Sequence, residues 1–329
     1  MDKMRALVTG SNGFIGSHLV EYLLSKNYDV SCFVRRTSNL QWLKGLDVKF
    51  AYGDCSKKET LYDAVRNQDY VFHLAGKIKA TDWDTYYRAN YLGTKNIIET
   101  CAEVNPDLKR FIYVSSISAA GPSVRGRLKK EDEECRPINE YGKTKLLGEE
   151  AVKSYAGKIS YVIIRPPNVL GPRQEDLYSI LRIIKRRIKP LLGNGDKQLS
   201  ICFVQDLVRG IEMAATRENT VGKIYYITDG KTYSWLNIAD VIVKELGVAG
   251  FFISIPYPIL IIMTVMMGLF AKLRGKKTFF SGKQVKQIRE TYLTYDGSKA
   301  ARDFGFRASI DLETGIRDTI AWYRQQRLL

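Results

Sequence analysis

The stretch Thr9-Gly10-Ser11-Asn12-Gly13-Phe14-Ile15-Gly16 follows the apolar run Ala6-Leu7-Val8 and precedes an amphipathic segment carrying Ile15, Leu19 and Leu23. That context reads as strand, tight turn and helix. Glycines there let the backbone turn sharply and lie against a pyrophosphate, whose charge is met by the amides and the positive dipole end of the following helix. The glycine spacing alone is weak; the flanking strand and helix make it a dinucleotide site. Its candidate contacts are Gly10, Asn12, Gly13, Phe14, Ile15 and Gly16.

Working outward, the second strand reads Val30-Ser31-Cys32-Phe33-Val34, and no carboxylate ends it to bind the adenosine ribose hydroxyls. Arg35-Arg36 follow instead. Guanidiniums in that place pair bidentately with a ribose 2′-phosphate, which favours NADP(H) over NAD(H). The plain alternative is two solvated loop arginines.

The pattern of short apolar runs alternating with helical stretches continues, the mark of a parallel sheet with helices on both faces. Val48-Lys49-Phe50-Ala51 leads into Gly53-Asp54, Tyr70–Leu74 into Ala75-Gly76, Phe111–Val114 into Ser115-Ser116, and Tyr161–Ile164 into Arg165-Pro166. Ligands in open α/β sheets sit at the carboxyl ends of strands, so these junctions are the expected site walls, with Cys55, Leu74 and Pro166 among the cofactor contacts. Asp54 faces the adenine amino group in this reading, or caps the Lys57–Val65 segment as an N-cap, or both. Ala75-Gly76 lets the cofactor lie close to the backbone. His73 ends an apolar strand and reads as structural.

Tyr141 and Lys145 open a segment to which Leu146, Leu147, Ala151 and Val152 give a helical face. One turn apart, they share a helix face, so the ammonium can approach the phenol and draw its pKa down from about 10 toward the range of an acid/base catalyst. Ser116, at a strand end, is placed to hydrogen-bond the oxygen that gains or loses the proton.

The chain of 329 residues suits a nucleotide-binding domain with a smaller lobe, and 45% hydrophobic residues suffice for a sizeable core. Cys32, Cys55, Cys101, Cys135 and Cys202 lack paired metal spacing, and His18 and His73 are the only histidines, so no metal site is expected. An odd cysteine count and no recognisable signal peptide point to a cytoplasmic protein. The net charge of +16 is not accompanied by a nucleic-acid motif or by stacking aromatics interleaved with the basic residues, which argues against a nucleic-acid partner.

These residues together resemble the extended short-chain dehydrogenase/reductases, which include nucleotide-sugar epimerases and dehydratases, 3β-hydroxysteroid dehydrogenases and dihydroflavonol reductases. The marks are the Thr9–Gly16 turn, Asp54, the His73–Gly76 run, Asn90-Tyr91-Leu92-Gly93-Thr94, Ser115-Ser116, Tyr141 with Lys145, and Arg165-Pro166-Pro167-Asn168. The resemblance implies that Tyr141 is the general acid/base, that Lys145 binds the nicotinamide ribose and lowers the tyrosine pKa, and that Ser116, which keeps the family's separation from the tyrosine, orients the substrate oxygen. Asn90 takes either a structural or a catalytic part. It also implies a doubly wound Rossmann domain at 1–166, with 201–231 and 292–300 returning to it, and a discontinuous substrate lobe at 167–200, 232–291 and 301–329. A homodimer through helices around Asn90–Val104 and Tyr141–Tyr155 is expected in the same way.

Two features pull the substrate in opposite directions. Asn168 matches the asparagine with which nucleotide-sugar enzymes contact a diphosphate, yet Gln198-Leu199-Ser200 stands where those enzymes place an arginine; Arg173 or Arg209 are the substitutes in reach, unless both are surface charges. From Phe251 to Phe270 no residue is charged, and Lys272, Arg274, Lys276 and Lys277 follow. Pro256 and Pro258 break that run below spanning length. Ile259–Phe270 reads as an interfacial helix at an anionic membrane, a cap over an apolar pocket, or a buried helix of the lobe. With the expected strand Tyr292–Asp296 and helix Leu312–Arg324, it resembles the tail of the 3β-hydroxysteroid dehydrogenase-like branch. The expected reaction is oxidoreduction of an alcohol/ketone pair. The alternatives are epimerisation or dehydration of a nucleotide sugar on tightly held NAD(P), and a non-catalytic NADP(H)-binding regulator.

Overall fold

The computed structural model describes residues 3–192, 195, 197–249, 251–255, 259, 262, 266 and 292–329. Its centre is a seven-stranded parallel sheet built from β1 (Arg5–Thr9), β2 (Asp29–Val34), β3 (Lys49–Tyr52), β4 (Tyr70–His73), β5 (Arg110–Val114), β6 (Tyr161–Arg165) and β11 (Ile224–Tyr226). The strand order is β11-β6-β5-β4-β1-β2-β3, so the chain reverses direction across the sheet between β1 and β4. Every pairing in it is parallel, with Thr9 opposite both Phe33 and His73. The carboxyl ends of all seven strands therefore open on one edge.

Both faces of the sheet are covered, which is why its strands are near-continuous apolar runs. In β1, Ala6 and Val8 pack into the cluster formed with Leu19, Val20 and Leu23 of α1 (Phe14–Ser25) and with Leu207, Val208 and Ile211 of α8 (Val204–Thr216). Leu7 between them faces the opposite cluster, which holds Ala64 and Val65 of α2 (Tyr62–Val65), Ile97 and Ile98 of α4 (Gly93–Val104) and Val152 of α6 (Glu140–Lys153).

Beyond β6 the chain leaves the main sheet. Strand β7 (Asn168–Leu170) pairs with β10 (Ile201–Phe203), β8 (Ile188–Leu192) with β13 (Phe251–Ile255), and β9 (Gln198–Leu199) with β12 (Tyr233–Ser234). Helices α7 (Glu175–Lys185), α9 (Trp235–Leu246) and α11 (Leu312–Gln325) bury Leu181, Ile184, Ile238, Ile316 and Ile320 in a separate core. Helix α10 (Ser298–Phe304) returns to the main sheet, where Phe304 meets Tyr225 edge-on at 5.0 Å.

Three elements differ from expectation. Tyr292–Asp296 is no strand; it makes isolated bridges from Tyr292 to Ser123, Leu293 to Leu199 and Tyr295 to Lys129, so it laces two loops to the end of β9. Lys57–Val65 is divided into a 3₁₀ turn at Lys58–Thr60 and the short α2. The helix begun at Asn90 is preceded by α3 (Trp83–Tyr86) and a π-helical turn at Tyr87–Leu92, which α4 continues. Of the Ile259–Phe270 run, only Ile259, Ile262 and Met266 lie within the described residues.

Candidate active site

Strand β1 ends at Thr9, and Gly10 turns the chain with φ +69°, a conformation that favours glycine. The turn then packs on itself: a Cβ on Gly16 would lie 2.1 Å from the carbonyl oxygen of Gly10, so only hydrogen fits. Gly13 precedes α1 with extended backbone, no side chain caps the helix, and its first turn carries no acid. The leading amides of α1 thus keep their donors and their partial positive charge for an anion. Ser11 is buried in this turn with its Oγ unpartnered. An uncapped helix start, a glycine cradle and an orphaned hydroxyl fit the pyrophosphate of a dinucleotide.

The flanking walls stand where the strand-end argument puts them. Arg35 and Arg36 leave β2 exposed, Arg36 lying 5.0 Å over the Tyr52 ring. Asp54 accepts hydrogen bonds from the Ser56 amide at 2.9 Å and hydroxyl at 2.8 Å. Burial alone would raise its pKa, but those bonds, with Arg35 and Lys57 nearby, hold it below the usual carboxylate value. It caps a turn, not a helix. Cys55 beside it is half-buried; its carbonyl accepts from Asn96, and burial pushes the thiol up to about 12. Leu74, Ala75 and Gly76 follow β4, and the Ala75 amide donates to Thr9 Oγ1 at 3.1 Å, tying that loop to the glycine turn. Thr9 Oγ1 also meets His73 Nδ1 at 2.7 Å, while His73 Nε2 meets Thr94 Oγ1 at 3.0 Å. Burial lowers His73 to about 3, so the ring is neutral and joins β1, β4 and α4 as a structural bridge.

Asn90, fully buried in the π-helical turn, accepts from the Lys77 amide at 2.7 Å and donates to the Lys77 carbonyl and Thr144 Oγ1, both at 3.1 Å. All its polar atoms are engaged in holding the Gly76–Lys77 loop against α6.

On α6, Tyr141 and Lys145 lie one turn apart. Tyr141 is half-buried, its ring 6.2 Å from that of Tyr86, and the Ser116 hydroxyl is close enough to its phenol to oppose the effect of burial. The next residue back is used differently: Ser115 Oγ donates to Glu149 Oε1 at 2.6 Å. The serine oxygen at the phenol is therefore that of Ser116, which also accepts from the Ser118 amide as the cap of α5 (Ile117–Ala120).

Lys145 departs from expectation. Its ammonium donates to the Val114 carbonyl at 2.8 Å and sits 4.2 Å over the Tyr113 ring, turned into the protein and not onto the phenol. Burial lowers it to about 7, with Glu149 opposing. The Tyr141 phenol is raised by its surroundings to about 12, Ser116 opposing, and Lys145 is not among the groups that move it. Helical spacing sets the Cα positions but not the rotamer, and a lysine chain is long enough to reach the β5 carbonyl instead.

Sequence reading missed Glu149, although Tyr141, Lys145 and Glu149 recur every four residues on one helix face. Glu149 and Arg165 form a buried bidentate pair, Oε1 to Nε at 2.8 Å and Oε2 to Nη2 at 2.6 Å. With Ser115 on Glu149 and Cys135 Sγ 3.0 Å from Arg165, this network joins the ends of β5 and β6 to α6. Pro166 accepts from the Ile117 amide, and Asn168 donates its side-chain amide to the Ser200 carbonyl at 3.3 Å. Neither proposed substitute for the missing phosphate clamp is free: Arg173 pairs with Glu21 at 2.6 Å and Arg209 with Asp206 and the Arg307 carbonyl.

Comparison with known proteins agrees with the fold. A model of the NAD dependent epimerase/dehydratase family matches residues 6–228. The human sterol-4-alpha-carboxylate 3-dehydrogenase, decarboxylating, is 32% identical over 265 residues, covering 77% of this chain and 69% of that protein. A putative UDP-glucose 4-epimerase of Methanocaldococcus jannaschii is 27% identical, covering 97% of this chain and 98% of its own. Among solved structures, MoeE5 in complex with UDP-glucuronic acid and NAD superposes with a TM-score of 0.78 at 24% identity, covering 98% and 99% of the two chains. That likeness is one of fold.

Proposed function

The chain belongs to the NAD dependent epimerase/dehydratase family, and we propose that within it the protein interconverts an apolar alcohol and its ketone. The observation that carries this reading is the convergence of Ser116 and Tyr141 at the carboxyl edge of the sheet, on the same side as the uncapped glycine turn. A bound dinucleotide would supply the hydride acceptor and donor. Ser116 holds the substrate oxygen, and Tyr141 takes its proton in oxidation and returns it in reduction. With the phenol raised to about 12, it stands in the acid form at neutral pH, which supports reduction as the easier direction. Lys145 anchors the ribose side of the cofactor from the β5 carbonyl.

An apolar substrate is supported by the sterol dehydrogenase relative and by the ion pairs that hold both Arg173 and Arg209, the two candidate phosphate clamps. The substrate lobe is assigned to 167–200, 232–291 and 301–329. Tyr141→Phe removes one hydroxyl and no packing volume, so turnover with NAD(P)H should fall by roughly 10²–10⁴ while cofactor affinity stays within twofold. Turnover within a few-fold of the parent enzyme would remove Tyr141 from the reaction.

NADP(H) is the proposed preference. Its support is the exposed Arg35-Arg36 pair at the end of β2 and the absence of an acid there. Replacing both by alanine should weaken NADP(H) by at least tenfold, since hydrogen bonds to charged groups contribute about 1.5–3 kcal/mol each, and leave NAD(H) nearly unchanged. Equal loss for both would refute a phosphate-specific role. The epimerase reading retains one specific support, Asn168 beside the site, and predicts that the purified protein carries a dinucleotide detectable by native mass spectrometry.

A further inference from the structure

The charge of this protein is unevenly placed. Residues 182–197 hold six basic residues and one acid, and residues 251–289 hold seven basic residues and none, so these two stretches account for twelve of the sixteen net positive charges. The uncharged start of the second stretch meets the first in the fold, β8 and β13 pairing in parallel with Ile188 opposite Phe251 and Pro190 opposite Ile253, while the seven basic residues from Lys272 to Arg289 lie outside the described residues.

Helix α7 buries one face, with Leu177, Leu181 and Ile184 in the core of the lobe. Its opposite face and the turn into β8 expose Arg182, Lys185, Arg186 and Arg187. Among the described residues none of these four pairs with a carboxylate. Between them Ile183 and Ile188 stand exposed, and past the paired strand Ile253, Ile259, Ile262 and Met266 do too, all six at 39–63% of full exposure. Ile259, Ile262 and Met266 have helical conformation and the spacing of a single helix face.

We propose that these exposed residues, the basic end of α7 with Ile183, Ile188, Ile253, Ile259, Ile262 and Met266, dock on a bilayer rich in anionic lipid. The chemistry distinguishes this partner from a nucleic acid, which offers phosphates to the cations but nothing to a row of isoleucines. A lipid surface offers both: headgroup charge to the basic rim, and the headgroup–acyl boundary to the apolar side chains. No helix among the described residues is long and apolar enough to cross a membrane. The contact rests on neither the cofactor nor the alcohol/ketone reading, and is measured without substrate.

The test is co-sedimentation of the full-length protein with phosphatidylcholine vesicles and with vesicles of phosphatidylcholine and phosphatidylglycerol, at 50 mM and 500 mM salt. Binding should appear with the anionic vesicles, exceed that with neutral ones by at least tenfold, and fall at high salt. Lys185→Glu with Arg186→Glu should weaken it by tenfold or more, since each basic residue near such a surface adds about a factor of five. Ile262→Asn, at an exposed position, should stay folded by circular dichroism and also lose binding. No association with either vesicle, equal association with both, or binding indifferent to all three substitutions would overturn the proposal. So would a concentration-dependent dimer abolished by Ile262→Asn, which would assign the face to a second copy of this chain.

Discussion

At Lys145 burial and charge are opposed. Its pKa is about 7 in the folded protein against 10.5 for a free lysine, because the ammonium is enclosed and only Glu149 favours its charge. Between those values the unfolded chain holds one more proton than the folded one, so this residue makes stability rise with pH above about 7; below that both states are charged and its contribution is flat. Lys145→Met should remove the slope. In urea unfolding, the variant's advantage over the parent should be largest near pH 6.5 and shrink by pH 9. Parallel curves across that range would show that Lys145 is not held at a lowered pKa. The sequence placed Tyr141 and Lys145 on one helix face correctly, but which acceptor the ammonium finds depends on the Val114 carbonyl, which arrives from another strand.

At the scale of elements, α6 is fastened to the sheet by charge as well as by packing. Glu149 and Arg165 are both buried, and removing one partner leaves an uncompensated ion. Glu149→Ala should cost about 3–5 kcal/mol in equilibrium unfolding, whereas Glu149→Leu combined with Arg165→Met should cost markedly less because neither charge is left stranded. A double variant as unstable as the single would mean that the pair's geometry, and not its charge, matters. Sequence alone made Arg165 a family mark and left Glu149 unremarked, since ion pairing between a helix and a strand is set by how those elements cross. The same reason hid the π-helical turn: its Asn90 bonds the Lys77 backbone and Thr144, and neither partner is legible from local spacing.

For the whole molecule, α4 and α6 lie side by side on one face of the sheet, with Tyr87, Tyr91, Leu146 and Leu147 only half-buried there. The rings of Tyr87 and Tyr91 stand 4.9 Å apart. We propose that this face pairs with its copy in a homodimer. Light scattering should then give about twice the 37.5 kDa chain mass, and Leu147→Arg should return a folded monomer; a monomeric parent protein at micromolar concentration would refute the pairing. The two cores of the chain are meanwhile bridged by Arg173, whose guanidinium reaches Ser17 and Glu21 on α1 and stacks 5.0 Å from Trp42, itself 5.6 Å from Trp322 of α11.

What the sequence by itself determined is local and periodic: the strand, glycine turn and helix at Ala6–Leu23, the apolar strands that need cover on both faces, the strand-end position of Ser116, and the four-residue step from Tyr141 to Lys145. Each follows from backbone geometry and the burial of apolar surface within a short window. Only the tertiary structure decided where the lysine ammonium goes, that Glu149 pairs with Arg165, which groups Asn90 and His73 tie together, and that β8 and β13 pair across a long stretch of chain. Those outcomes depend on hydrogen-bond acceptors and strand partners brought from far along the chain, and a one-dimensional pattern carries no record of which distant group will be within 3 Å.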